Sequence, residues 1–140
     1  MVDLAALKER IDERVEEIAP DLLAASHDIH AHPELGFEEH HAHAVLTDLL
    51  ERAGLQVTRG AYDVPTAFEA VAGSTGPRIA VLCEYDALPV IGHACGHNVI
   101  GTAGVGAGIA AAALAAIPAD RKSTRLNSSH SARSRMPSSA

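Results

Sequence analysis

Tryptophan is absent and aromatic residues make up only 3% of the 140 residues. Any core must therefore be built from Ala, Val, Leu and Ile. There are two cysteines, Cys83 and Cys95, too few for a disulfide scaffold. No Gly-rich phosphate loop leads into Lys-Ser/Thr, and no Gly-x-Ser-x-Gly nucleophile turn is present. The two cysteines are not spaced as a Cys-x-x-Cys redox pair. Basic charge is also scarce where it would count. The formal charge is −7, but residues 120–140 carry five basic side chains and one acid, a local +4. Residues 1–119 therefore stand at −11, which excludes the basic face that nucleic-acid phosphates demand. A charge excess of this kind suits a solvated surface.

What is present is a globular composition. Hydrophobic residues reach 47%, and the length is enough for one domain with a core. Met1 leads straight into a charged helical pattern rather than a signal peptide, so the expectation is a reduced, cytoplasmic chain.

Along the chain, Leu4, Leu7, Ile11, Val15 and Ile18 recur at spacings of three and four, predicting an amphipathic helix that ends at Pro20. Asp21 is suited to cap a second helix over 21–31, which His32-Pro33 breaks. A third helix is predicted over 38–53, with Ala42, Val45, Leu46, Leu49, Leu50 and Ala53 on one stripe and Gly54 just past its end. Strands are predicted over 55–58, 67–72 and 78–85. The continuous apolar run Ile79-Ala-Val-Leu-Cys83 predicts a strand buried on both faces, with Ser74-Thr-Gly-Pro77 as the turn before it. Residues 99–119 carry no charge. They are long enough to span a bilayer, but Gly and Ala dominate and aromatic anchors are missing. A packed core helix is the better reading, capped by Asn98, with Gly101, Gly104, Gly106 and Gly108 admitting a sheet to close range. Residues 120–140 have no apolar periodicity and resemble the translation of a short-read sequencing adapter. They are expected to be a non-native, disordered tail, leaving 1–119 as the folded unit.

Chemistry concentrates within residues 83–98, in Cys83-Glu-Tyr-Asp-Ala-Leu-Pro89 and Gly92-His-Ala-Cys-Gly-His-Asn98. A thiol, carboxylates and imidazoles gather where a strand gives way to a loop and then a helix, the place where open α/β folds build their sites. Cys95 and His97, two apart across a glycine, can face one side of a loop, and zinc accepts both ligand types. A bound metal would hold the thiol deprotonated. Asp86 at the end of a buried strand must be paired, bound to a cation, or engaged in a turn. It could ligate the metal or orient a ligating histidine. Glu84 is more easily solvated. His93 reads as a third ligand, a proton donor or a satisfied loop histidine, the last being favoured. The cluster His27, His30, His32, His40, His41 and His43 could suggest a metal-storing tract. However, His40, His41 and His43 fall on the polar side of a helix, which points to a solvated face.

The segments His30-Ala-His-Pro-Glu-Leu-Gly-Phe-Glu-Glu39, Cys83–Pro89 and Gly92–Asn98, in this order and spacing, resemble the amino-terminal third of the aminoacylase/carboxypeptidase superfamily. This is a superfamily of metal-dependent amidohydrolases and metallopeptidases. The branch of hippurate hydrolase, auxin-conjugate hydrolases, aminobenzoyl-glutamate hydrolase and Xaa-Arg dipeptidases is nearest, and the likeness covers about residues 20–117. The resemblance implies the first part of a three-layer α/β catalytic domain of the zinc-peptidase type, with an incomplete sheet. It also implies a later lid domain that often dimerises, so the full-length form is expected to be a homodimer. Cys95 and His97 match metal ligands, Asp86 matches the acid that supports the metal centre, and His32-Pro33-Glu34 matches a structural turn near the site. Two positions depart from the pattern. Glu84 stands where the wider superfamily has a metal-binding His, and Asn98 replaces the acid that usually follows Cys-Gly-His. The Glu-Glu pair, which holds the general base and a ligand, and the later ligating histidines have no counterpart in this chain.

The resemblance thus implies one or two divalent ions, zinc first, with manganese, cobalt or nickel as alternatives. The substrate class is an N-acyl amino acid or dipeptide, cleaved at its amide by metal-activated water. No nucleic acid or membrane is expected as a partner, and the 140 residues alone are expected to be inactive. A competing reading is a small, non-catalytic metal-binding or redox-sensing module.

Overall fold

The structure is a computed structural model that describes residues 3–74, 77–115 and 123–127. Helix α1 spans Leu4–Ala31 and α2 spans His40–Arg52. Strands β1 (Gln56–Arg59), β2 (Phe68–Ala72) and β3 (Arg78–Leu82) follow. Helix α3 spans His97–Ala115, and β4 spans Ser123–Asn127. The sheet order is β1-β2-β4-β3, with β1–β2 and β2–β4 antiparallel and β3–β4 parallel.

Helix α1 is one helix where two are expected. Asp3 caps it by accepting from the amides of Ala5 and Ala6, and Pro20 lies in its interior. Proline removes one hydrogen bond and crowds the preceding turn. The helix continues because burial on both sides of Pro20 ties it to the core, at Ile18 before it and at Ala25, Ser26 and Ile29 after it. Its first turns are less committed, since Leu4 and Val15 from the expected apolar stripe are exposed. Helix α2 follows expectation: Ala42, Leu46, Leu49 and Leu50 are buried, and Val45 and Ala53 pack against them. Gly54, with φ 85°, takes the left-handed position just past its end. The start of α2 is secured from a distance. The Glu34 carboxylate accepts from the amides of His41 (2.9 Å) and Ala42 (3.0 Å), satisfying two of the unpaired donors at a helix start.

The helices lie on one face of the sheet, and the core between them holds Ile29, Leu46, Leu50, Phe68, Ala70, Cys83 and Val105. The turn between β2 and β3 falls partly on residues 75–76, outside the described residues. Strand β3 departs from the expected double burial. Cys83, just past its end, is buried on the helix face, but Ile79, Ala80 and Leu82 are exposed. An apolar run reports that a strand can be covered twice; among the described residues, only one layer of helices covers it.

Helix α3 is the charge-free segment, and it is long and apolar enough to cross a membrane. In the fold it is a core helix wedged between α1 and the sheet, with half of its apolar stretch buried. The glycines explain how. A Cβ on Gly101 would stand 3.1 Å from the Glu84 carbonyl, and one on Gly104 would stand 2.5 Å from Cys83 Sγ, so both mark close approach to the strand. Asn98 is not the expected cap. It lies inside the first turn, and its amide donates to the carbonyl and hydroxyl oxygens of Ser26 (3.2 and 3.0 Å), joining α3 to α1.

Residues 123–127, within the segment expected to be a non-native tail, form strand β4 between β2 and β3. Strands β2 and β3 present facing edges whose backbone groups need partners. The chain returning from α3 enters this slot as a parallel crossover. Backbone pairing makes small demands on side-chain identity, which is why composition gives no sign of it. The rest of the proposed tail lies outside the described residues.

Candidate metal centre

The site grows from the end of β3. Cys83 is buried against Gly104, and burial pushes its thiol up to about 12, so it is a packing residue and not a thiolate. Tyr85 turns inward, stacks on Phe68 at 5.8 Å, and donates its hydroxyl proton to the Thr66 carbonyl. Glu84 and Asp86, on either side of Tyr85, take the opposite direction by strand alternation. Ala87 then donates to the Glu34 carbonyl at 2.7 Å, tying this loop to the His32-Pro33-Glu34 turn. Leu88 and Gly92 pair in a tight hairpin with Val90 at its tip, at φ 72° and fully exposed. The chain returns through His93 to Cys95, and Gly96 at φ 80° turns it into α3.

This path sets His97, the first residue of α3, between the two carboxylates. Its Nδ1 lies 2.6 Å from Asp86 Oδ1 and 3.1 Å from the Asp86 carbonyl; its Nε2 lies 3.2 Å from Glu84 Oε2. Two acceptors at Nδ1 assign the ring proton there in the neutral form. The Nε2 lone pair is then directed to the Glu84 side, and Asp86 fixes both tautomer and ring orientation. This is the arrangement by which a carboxylate prepares an imidazole for a metal. Cys95 is a free, exposed thiol on the preceding loop. Among the described residues, Cys95, His97 and the carboxylates do not converge as a three-ligand set. Asp86 and His97 are brought together, and Cys95 stands two residues away. A thiol and an imidazole of fixed tautomer are both donor types that a borderline divalent ion accepts.

Two expectations about histidines need correction. His93 reads from sequence as a satisfied loop histidine. Its ring is in fact buried, and among the described residues neither nitrogen has a hydrogen-bond partner of ordinary geometry. Burial, then His30 and His97, lowers its pKa, against a smaller opposing effect from the Ile29 backbone. His43 reads from sequence as part of a solvated helix face. It is buried edge-on against Phe68 at 6.1 Å, with its pKa lowered first by burial and then by Arg59. Sequence reasoning also misses the capping role of Glu34, whose partners lie seven and eight residues on, beyond any local capping pattern.

No protein-family model matches the chain. The Xaa-Arg dipeptidase of Homo sapiens is 47% identical over 120 residues, covering 76% of this chain and 28% of the relative. One of the subunits of p-aminobenzoyl-glutamate hydrolase from Escherichia coli (strain K12) is 38% identical over 117 residues, covering 71% of this chain and 24% of that protein. The chain therefore spans about a quarter of the length of these relatives. Among solved structures, a Bacillus subtilis protein described as a dinuclear metal binding peptidase from the M20 family superimposes with a TM-score of 0.71 at 23% identity. That match covers 81% of this chain and 35% of the other. The aminobenzoyl-glutamate utilization protein from Klebsiella pneumoniae gives a TM-score of 0.64 at 20% identity, covering 84% of this chain and 38% of the other. Both likenesses carry the fold alone. Through these sequence relatives the chain matches one part of dipeptidases and amidohydrolases of the aminoacylase/carboxypeptidase superfamily that its motifs resemble, and the solved structures share its fold.

Proposed function

We propose that the full-length protein hydrolyses the amide bond of a dipeptide or N-acyl amino acid, and that this chain supplies part of its metal centre. The observation that carries the reading is the 2.6 Å contact between His97 Nδ1 and Asp86 Oδ1, on a loop that also presents Cys95. Cys95 as thiolate and His97 through Nε2 would hold a divalent ion, zinc before manganese, cobalt or nickel. When bound, such an ion lowers the pKa of water towards ~7 and polarises the scissile carbonyl. Asp86 keeps the proton on Nδ1 and stabilises positive charge drawn onto the ring. Glu84, 3.2 Å from Nε2, adds negative charge beside the same nitrogen. Gly96 and the first turn of α3 fix the loop.

The similarity to an Xaa-Arg dipeptidase supports a dipeptide substrate, and the similarity to p-aminobenzoyl-glutamate hydrolase supports an aroyl amino acid. A working thiolate ligand needs a reducing compartment, which supports a cytoplasmic location. In the family that the motifs resemble the general base belongs to a later Glu-Glu pair, so the 140 residues alone are inactive, and the full-length form dimerises through the later lid domain. The test is to assay the complete gene product with dipeptides ending in arginine and with p-aminobenzoyl-glutamate. Cleavage of either, abolished by Cys95→Ala with His97→Ala, is expected. No cleavage of either by metal-loaded protein, or activity retained in the double variant, overturns the proposal.

A further inference from the structure

Away from the Cys95 loop, the fold brings together three side chains that no role above uses. Asp28 lies in the last turn of α1, His32 follows at i+4 beyond the helix end, and His41 comes from the first turn of α2. Asp28 Oδ1 lies 3.1 Å from His32 Nδ1, and its Oδ2 lies 3.0 Å from His41 Nε2. The imidazole centroids are 4.5 Å apart. One ligand atom from each residue lies within 4.8 Å of the other two, and among the described residues this is the only such set. We propose that Asp28, His32 and His41 form a second divalent-metal site, for a borderline transition ion such as zinc, nickel or copper, that staples the end of α1 to the start of α2.

The chemistry favours an ion of that class. Two imidazole nitrogens and one carboxylate oxygen suit zinc, nickel and copper, while magnesium and calcium prefer oxygen donors. Ligands about 2.0–2.1 Å from a tetrahedral ion stand about 3.4 Å from each other, close to the two Asp28–histidine spacings. Each ring now turns a nitrogen towards Asp28, and His32 Nδ1 also lies 2.9 Å from the Asp28 carbonyl. These contacts place the ring protons on His32 Nδ1 and His41 Nε2. On binding, each neutral ring moves its proton to its other nitrogen and offers the freed lone pair, with no net proton release. All three side chains are partly exposed, so an ion can reach them from solvent and keep water in its remaining position.

The consequence is mechanical. The clamp would close the 33–39 loop, whose Glu34 caps α2 with its carboxylate and accepts from Ala87 with its carbonyl, one residue from Asp86. An ion here would stiffen one wall of the candidate centre without entering it. The site does not depend on the hydrolase reading.

The test uses the untagged, metal-free 140-residue chain, with Co²⁺ titrated optically and Zn²⁺ by equilibrium dialysis. We expect two classes of bound Co²⁺, one with sulfur-to-metal charge-transfer absorption and one without. Asp28→Asn and His41→Gln should each weaken the sulfur-free class at least tenfold and leave the sulfur band unchanged, with circular dichroism confirming the fold. Cys95→Ser should do the reverse. The inference is overturned if wild type binds no sulfur-free ion, if both clamp variants bind it as tightly as wild type, or if Cys95→Ser removes both classes.

Discussion

His97 has three possible fates for its ring, and Asp86 selects one. Without an acceptor at Nδ1 the imidazole would divide between tautomers and rotate; with Oδ1 at 2.6 Å it does neither. Replacing Asp86 with Asn removes the charge but keeps the size. Metal affinity at the Cys95–His97 pair should fall by about 10–100-fold, the usual cost of losing such a partner. Competition against a chelator measures it. That Asp86 needs a partner was legible from its place at a strand end, and the structure supplies one in His97. The loss of His43 to the core was not legible. Helical periodicity places it at the margin of the polar face, and only the arrival of Phe68 from β2 buries it. That burial has a pH signature. The folded-state pKa is lowered below the unfolded value of 6.5, so the unfolded chain binds the proton more readily. The stabilisation is complete above about pH 6.5 and is lost as pH falls from there through the folded value. Urea midpoints between pH 7.5 and 5 should decline, and His43→Leu should show a shallower decline.

Helix α3 shows how an element with almost no side chains can be specified. Its apolar composition says only that it is buried; its glycines say how closely it is approached. Two of them should respond oppositely to the same methyl group. At Gly104 the new Cβ would stand 2.5 Å from Cys83 Sγ, an atom locked in the core beside the strand. Overpacking there costs about 1–3 kcal/mol, against a gain of about 1 kcal/mol in helix propensity, so Gly104→Ala should be destabilising or at best neutral. At Gly106 the Cβ would meet Leu22 Cδ1 at 2.6 Å, the far end of a flexible and only partly buried side chain. Leu22 can rotate away, and Gly106→Ala should be neutral or stabilising by up to about 1 kcal/mol. Denaturant unfolding of both variants gives the comparison. Helix α2 was readable almost residue by residue because its stripe is continuous. Helix α1 was misread at Pro20 because local rules count the lost hydrogen bond and cannot see Ile18 and Ile29 held by the core on either side. Strand β4 was invisible for a related reason: the demand for it arises from the edges of β2 and β3, not from its own residues.

The chain as a whole is half-dressed. Phe68 and Ala70 on β2 face the helices, while Val71, Ala80 and Leu82 face the other way and are exposed among the described residues. An apolar sheet face beside the open edge of β3 is a surface on which copies can associate. Sedimentation velocity on the 140-residue chain should show concentration-dependent association that Leu82→Lys reduces. A strictly monomeric wild type would contradict this. The class of fold could be read from the order of helices and strands, but the exposure of this sheet face among the described residues could not, since an apolar run looks the same whether or not something covers it. The proposed centre comes down to one small assembly, the thiolate of Cys95 and the imidazole of His97 sharing a divalent ion. Co²⁺ added to the metal-free, reduced chain tests it directly. The expected result is a sulfur-to-cobalt charge-transfer band that saturates at one equivalent, vanishes in Cys95→Ala and is strongly weakened in His97→Ala. A wild-type spectrum without that band, or a band that persists in Cys95→Ala, would contradict it.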